Sequence, residues 1–161
     1  NLHARFSAVA REYHYFLSKR PHPYLYPFTK SLVKRPDILN LHKAAKIIEQ
    51  NTDFASFCKA HAANKTNICH VAESEWIETE DLFVYRIKAD RFLRNMVRAL
   101  VGTMLEIAYG KRSITTLQQV FKAQNRSKAG MSAAPEGLFL TGVWYSHDIF
   151  EQSSSLPFPV Q

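Results

Sequence analysis

Hydrophobic positions recur along this chain with two periods, one near two residues and one near 3.6, and each change of period marks an element. Phe6 to Ser18 (FSAVAREYHYFLS) is rich in aromatic and branched residues and predicts a long strand, with Val9, Arg11, Tyr13, Tyr15 and Leu17 on one face. Pro21, Pro23 and Pro27 fall within Arg20 to Phe28, which excludes a helix or a central strand and predicts an extended loop. Ile38, Leu41, Ala44, Ala45 and Ile48 are spaced for one helical face, predicting a helix over Asp37 to Gln50 with Asp37 as its N-cap. Asp53 to Phe57 predicts a short turn that packs two phenylalanines, and Ala62 to Thr66 a loop. Cys69 to Glu78 and Leu82 to Arg91 predict two strands joined by a polar turn.

The stretch that follows, DRFLRNMVRALVG (Asp90 to Gly102), is the most informative. Met96, Val97, Leu100, Val101, Met104 and Leu105 make one apolar stripe, predicting a helix from Leu93 to Tyr109 that stops at Gly110. Arg91, Arg94 and Arg98 interrupt it. At about 100° per residue, Arg94 should project between Val101 and Leu105, and Arg98 just outside the stripe's edge. A guanidinium in such a place needs a carboxylate or a phosphate as partner. Glu106 is two turns beyond Arg98, so the partner must come from elsewhere in the fold, another chain or a ligand. Ser113 should cap a further helix to about Gln124, Asn125 to Gly137 should be a loop, and Leu138 to Tyr145 a last strand. The order β, α, β, β, α, α, β predicts an α+β domain, a mostly antiparallel sheet with helices packed on one face, over residues 1–146. Residues 147–161 end in a Ser/Pro-rich stretch expected to be a flexible tail.

Composition narrows the class. The chain has 161 residues, 46% of them hydrophobic, enough for one ordinary domain with a core. No apolar run is long enough to span a bilayer. The start, Asn1-Leu2-His3, has no signal pattern and no initiator Met, and reads as a cut within a longer chain. Two cysteines, Cys58 and Cys69, are too few for a disulfide framework and suggest a reducing, cytoplasmic setting. The net charge of +7 is unevenly distributed: residues 1–46 carry nine Lys/Arg against two acids, 47–85 two against seven, and 86–128 ten against two. With aromatics interleaved among the charges, the two basic blocks predict a surface for a polyanion.

Four segments together resemble the tRNA pseudouridine synthase A (TruA) family: HARFSAVAREYHY (His3 to Tyr15), DFASFCKA (Asp53 to Ala60), RFLRNMVRALVGTMLEI (Arg91 to Ile107) and AAPEGLFLTGVWY (Ala133 to Tyr145). The resemblance is to the C-terminal half of such enzymes and implies half of a pseudouridine synthase fold. These enzymes break the uridine base–ribose bond, turn the base and rejoin it through carbon, acting in the tRNA anticodon stem-loop. The resemblance implies no cofactor and no metal, tRNA as substrate and a homodimeric intact protein. It also implies an essential aspartate in an Arg-Thr-Asp segment, and this chain has none; Asp37, Asp53, Asp81, Asp90 and Asp148 lie in other contexts. The chain alone is therefore expected to be inactive. Tyr13 matches the family tyrosine that lies against the target base, and Arg98 the arginine expected to pair with the absent aspartate. Many members carry two histidines where this chain has Arg94 and Asn95. Arg5, Arg11, Lys88, Arg91, Arg94, Arg126 and Lys128 are candidate contacts to tRNA phosphates.

Other chemistry is weakly signalled. Cys58-x-x-His61 with Cys69-His70 invites zinc, but adjacent residues of a strand point to opposite faces, and no metal is expected. Asn64-Lys65-Thr66 fits a glycosylation sequon that a cytosolic protein would not use. The sequence holds no P-loop, dinucleotide fingerprint or hydrolase elbow. The alternatives to an enzyme portion are a non-catalytic basic RNA-binding module and, more distantly, a basic structural or DNA-binding domain.

Overall fold

The computed structural model describes residues 3–59 and 65–146. The expected tail at 147–161, the sequon Asn64 and the zinc candidate His61 lie outside them. The elements are β1 (Ala8–Ser18), β2 (Lys30–Ser31), α1 (Ile38–Glu49), a 3₁₀ turn (Ala55–Phe57), β3 (Val71–Glu78), β4 (Leu82–Ala89), α2 (Met96–Ala108), α3 (Ile114–Ala123), a 3₁₀ turn (Arg126–Lys128) and β5 (Leu138–Tyr145). The domain is α+β, as expected.

β1 is the centre of the sheet. One edge pairs antiparallel with β4 from Arg11 to Ser18, and β4 pairs antiparallel with β3. The other edge is shared: β5 takes Ala8 to Tyr15, antiparallel, and the two-residue β2 takes Leu17 and Ser18, parallel. The shared edge is irregular, with register shifts between Ala8 and Ala10 and between Glu12 and Tyr13. The predicted single face of β1 therefore holds only in part. Tyr15 and Leu17 are fully buried and Tyr13 packs against the core, but Val9 is half exposed.

The core lies between this face and the helices. Tyr15, Leu17, Trp76, Phe83, Tyr85 and Ile87 of the sheet meet Leu41 and Ile48 of α1 and Leu100, Val101 and Met104 of α2. Each large apolar side chain so buried contributes about 1.5–3 kcal/mol relative to exposure. Phe54 and Phe57 are both fully buried and pack on Phe121 of α3, with ring centroids 5.4 and 4.9 Å apart. Within this core the polar atoms of four side chains are paired: Tyr85 with Ser74 at 2.8 Å, Trp76 Nε1 to Met104 Sδ at 3.3 Å, and Ser56 Oγ to the Val120 carbonyl at 2.6 Å.

Asp37 caps α1 as predicted, accepting from the amides of Leu39 and Asn40. Gly110, at φ +73°, closes α2: its amide donates to Ile107 O and that of Lys111 to Glu106 O, the paired bonds of a Schellman end. Other expectations are corrected. Ser113 occupies the N-cap of α3, but its hydroxyl pairs with Thr115 and Thr116 rather than with the backbone. The proline-rich segment is compact rather than extended: the Leu25 and Tyr26 amides both turn back to the His22 carbonyl, and Tyr26-Pro27 is cis. Three residues shorter at its start than predicted, α2 begins only after Asn95, whose backbone is left-handed at φ 70°. Arg94 consequently precedes the helix and is exposed, rather than projecting between Val101 and Leu105.

After α3 the chain returns along α2 as a strap, residues 130–134. The Gly130 amide donates to Thr103 Oγ1 at 2.9 Å, the Met131 amide to Glu106 Oε1 at 3.1 Å, and the Ala133 amide to the Arg98 carbonyl at 2.8 Å. Farther on, the Ala134 carbonyl accepts from the Tyr15 hydroxyl at 2.7 Å. The approach is so close that a Cβ on Gly102 would sit 1.7 Å from the Met131 carbonyl oxygen.

Gly102→Ala should therefore destabilise. The alanine gains about 1 kcal/mol of helix propensity, but displacing the strap backbone costs roughly 1–3 kcal/mol or more. A urea unfolding midpoint lower than that of the parent chain is the expected result. Tyr15 supplies a second prediction. Burial, together with the Glu136 charge and against the Arg98 charge, pushes its phenol up to about 12. Below pH 10 the phenol is protonated both folded and unfolded, so the stabilisation is fully present. As pH rises from 10 towards 12 the unfolded chain loses the proton first, and stability falls. Urea midpoints taken across that range should decline, and Tyr15→Phe should decline less steeply; burial raises Tyr85 and Tyr109 as well, so part of the slope persists.

Candidate functional site

Arg98 stands in the first turn of α2, half-buried, on the side covered by the strap. Its Nε donates to the Ala133 carbonyl at 2.7 Å while its own carbonyl accepts from the Ala133 amide at 2.8 Å. Helix and strap are thus joined by a reciprocal pair of bonds, one from backbone and one from side chain. The guanidinium is held by its inner nitrogen. Its two terminal nitrogens have no partner among the described residues, and no carboxylate of those residues pairs with it. That is the arrangement in which an arginine offers its planar fork to an incoming carboxylate.

Tyr13 and Tyr15 lie on the helix-facing side of β1, opposite Ile87 and Tyr85 of β4. Tyr13 is half-buried, its ring edge-on to Phe92 at 5.1 Å between centroids. Phe92 belongs to the segment that leads into α2, so the ring sits where β1 and the entrance to the arginine helix meet. Arg98 is close enough to the neighbouring Tyr15 that its charge opposes the rise in that phenol's pKa. Tyr15 in turn bonds the strap next to the carbonyl held by Arg98. No hydrogen bond or ring contact among the described residues joins Tyr13 to Arg98; it is Tyr15, Ala133 and Ala134 that adjoin the arginine. A cavity of about 510 Å³ opens beside them, lined also by Leu32, Leu105 and Tyr109, but not by Tyr13 or Arg98.

The predicted phosphate-binding residues divide into two groups. Arg94 and Lys128 are exposed, with no side-chain hydrogen bond or ion pair among the described residues, and Arg91, three residues before Arg94, is half-buried. Arg5 is exposed, with its guanidinium 5.5 Å from the Phe6 ring centre. The other three have internal partners. Arg11 donates to the backbone carbonyls of Ala8, Arg5 and Asp90. Arg126 donates to the Gly130 carbonyl and to Ser132 Oγ, both at 3.0 Å. Lys88 lies over the Trp144 ring at 4.1 Å and 3.9 Å from Glu73.

The acidic block also neutralises part of the basic ones. Arg86 pairs with Glu73 and Glu75 at 2.7 and 2.6 Å, while Lys19 and Arg35 share Glu78. The Glu78 carboxyl is accordingly held below the usual carboxylate range, first by its bond from Lys19. Cys58 and Cys69 are both buried, and burial pushes the Cys69 thiol up to about 12. His70 pairs with Asp90 at 2.9 Å. Among the described residues no group of three or more His, Cys, Asp or Glu could hold a metal ion, and no helix is long and apolar enough to cross a membrane.

The sequence marked Asn95 only as standing where many family members carry histidine, and it did not mark Ser132. Asn95 Nδ2 donates to Ser132 Oγ at 2.6 Å, so the residue before α2 is tied to the strap. The only hint in the sequence is that asparagine tolerates the left-handed backbone better than most residues.

Comparison with known proteins identifies the family. The family profile described as tRNA pseudouridine synthase matches residues 44–146, which include α2, the strap and β5. The tRNA pseudouridine synthase A of Bacteroides thetaiotaomicron is 43% identical over 155 residues, 94% of this chain and 58% of that protein. The tRNA pseudouridine synthase A of Porphyromonas gingivalis is 40% identical over 92% of the chain and 60% of its own length. That of Bacillus subtilis is 36% identical, covering 90% and 60%. The chain spans about three-fifths of the length of these curated relatives. With the profile running through the whole arginine helix and on to the last strand, the chain belongs to the tRNA pseudouridine synthase family.

Proposed function

We propose that this chain is the C-terminal portion of an enzyme that isomerises uridine to pseudouridine in the anticodon stem-loop of tRNA. The observation that carries the reading is the state of Arg98: clamped at Nε by the Ala133 carbonyl, its terminal nitrogens unpartnered among the described residues. The nucleophilic aspartate comes from the part of the relatives' length that this chain does not span. Two parallel N–H···O bonds from Arg98 would keep that carboxylate ionised and aimed at the sugar–base linkage. Tyr13 lies against the uracil ring, edge-supported by Phe92: its ring holds the base while the N1–C1′ bond is broken and the C5–C1′ bond made, and its hydroxyl relays to solvent the proton that leaves C5 while N1 gains one. No cofactor or metal takes part, because a carboxylate and a positioned base suffice for an isomerisation without net redox change.

Arg94, Arg91, Lys128 and Arg5 supply the sequence-independent attraction to the tRNA backbone. Arg11, Arg126 and Lys88 contribute less, since their donors already hold neighbouring groups. The intact protein is a cytoplasmic homodimer, and one tRNA meets both subunits. The competing reading is a basic RNA-binding module without catalysis. Exposed arginines favour both readings, whereas an arginine fork held open beside a tyrosine favours the enzyme.

Tritium release from C5-labelled uridine in tRNA separates them. The full-length protein should release tritium, and this chain alone should release none above background. Arg98→Ala in the full-length protein should lower turnover roughly 10²–10³-fold with little change in tRNA affinity. Tyr13→Phe, which keeps the ring, should retain tRNA binding and lose turnover. Normal turnover in both variants would remove these assignments. The phosphate contacts are tested by salt: Arg94→Ala should weaken tRNA binding similarly across tRNA sequences. It should also reduce the slope of log K against log salt by about 0.7–0.9, one phosphate's worth. An unchanged slope would take Arg94 out of the interface.

A further inference from the structure

We propose that Asn95 and Ser132, with Arg126 behind them, are positioning residues that set the direction of the Arg98 guanidinium. The inference rests on the reading of Arg98 given above and extends it to residues that touch none of the reacting atoms.

Arg98 takes its direction from one bond, Nε to the Ala133 carbonyl, and a single bond leaves a guanidinium free to pivot unless its acceptor is fixed. The acceptor belongs to the strap, which has no regular secondary structure of its own. On the C-terminal side of Ala133 the strap is held by Tyr15, through the Ala134 carbonyl. On the N-terminal side the adjacent residue is Ser132. Its hydroxyl oxygen accepts from two donors at once, Asn95 Nδ2 at 2.6 Å and Arg126 Nη2 at 3.0 Å. Arg126 also holds the Gly130 carbonyl at 3.0 Å. Ala133 is therefore gripped on both flanks.

Asn95 joins the two ends of this device. It sits three residues before Arg98, at the N-cap of α2, where its carbonyl accepts the Ala99 amide at 3.1 Å. Its backbone is left-handed, φ 70° and ψ 3°, one of two such non-glycine residues among those described. Its side chain makes no capping bond to the helix. An ordinary N-cap turns its side chain back onto the first amides. Here the left-handed turn sends the amide group across to the strap instead. The helix that carries Arg98 and the strap that carries its acceptor are thus tied three residues before Arg98 on the helix and one residue before Ala133 on the strap. Asparagine meets both requirements, tolerating the backbone and donating a short-reach N–H.

The test uses the full-length protein and reads kcat, KM for tRNA, and the ¹H–¹⁵N signal and solvent exchange of the Arg98 Nε–H. Ser132→Ala removes the shared acceptor. It should lower kcat on the order of tenfold to a hundredfold, leave KM for tRNA within about twofold, and speed exchange of the Arg98 Nε–H. Asn95→Gly is compatible with the left-handed backbone and removes the donor, so it should act in the same direction. In the Ser132→Ala background, Asn95→Gly should add little, because the two act through one contact. Ser132→Thr restores the hydroxyl and should restore kcat to within about twofold. The proposal is overturned if Ser132→Ala and Asn95→Gly leave both kcat and the Arg98 Nε–H unchanged. It is equally overturned if they lower the melting temperature and kcat together while the Arg98 Nε–H signal and its exchange stay as in the parent. Normal turnover in Arg98→Ala is a different outcome: it would strike the role of Arg98 itself, whatever the strap variants do.

Discussion

The backbone of residues 130–134 lies so close to α2 that Gly102 has no room for a side chain, and the site depends on that approach. A strand would bring its own ladder of hydrogen bonds; this strap has none and borrows partners from the helix. Thr103, Glu106 and the Arg98 carbonyl accept three of its amides, and the Arg98 and Tyr15 side chains satisfy two of its carbonyls. Buried backbone groups left unpaired would each be penalised, so the exchange of bonds fixes the strap's register along the helix. That register decides which carbonyl meets Arg98 and which nitrogens of the guanidinium remain available.

The same logic separates charge that holds the fold from charge left for a partner. Arg86, Lys19 and Arg35 are matched by acids of the middle block, and Arg112 by Glu106. Partly solvated pairs of this kind contribute little stability individually, but they reduce the net positive field where they lie. Arg94 and Lys128 are not so matched among the described residues, and both lie at the ends of segments that frame the strap. The net charge of +7 is therefore a poor guide by itself. Its useful part is the subset left after the internal pairs are removed.

Much of the architecture was legible in the order of residues because hydrophobic period is a local property. Ile38 to Ile48, Met96 to Leu105 and Leu138 to Tyr145 declare helix, helix and strand without reference to the rest of the chain. Asp37 and Gly110 end their helices through chemistry within a few residues. The compactness of the proline-rich loop was not legible, since proline excludes elements without choosing between extended and turned paths. Nor was the late start of α2, because apolar spacing continues through Leu93 while Asn95 breaks the helix by its backbone angle.

For the candidate site, the sequence alone determined which side chains are chemically out of place: an arginine at the edge of an apolar stripe, and tyrosines on the buried side of a strand. Those are conflicts between residue type and local pattern, visible wherever the pattern is. Only the tertiary structure decided how they are held. The Arg98 bond to Ala133 spans 35 residues, the Tyr15 bond to Ala134 spans 119, and the Asn95 bond to Ser132 spans 37. No periodicity connects such positions. They meet because a glycine lets two backbones close to contact, and that distance exists only once the chain has folded.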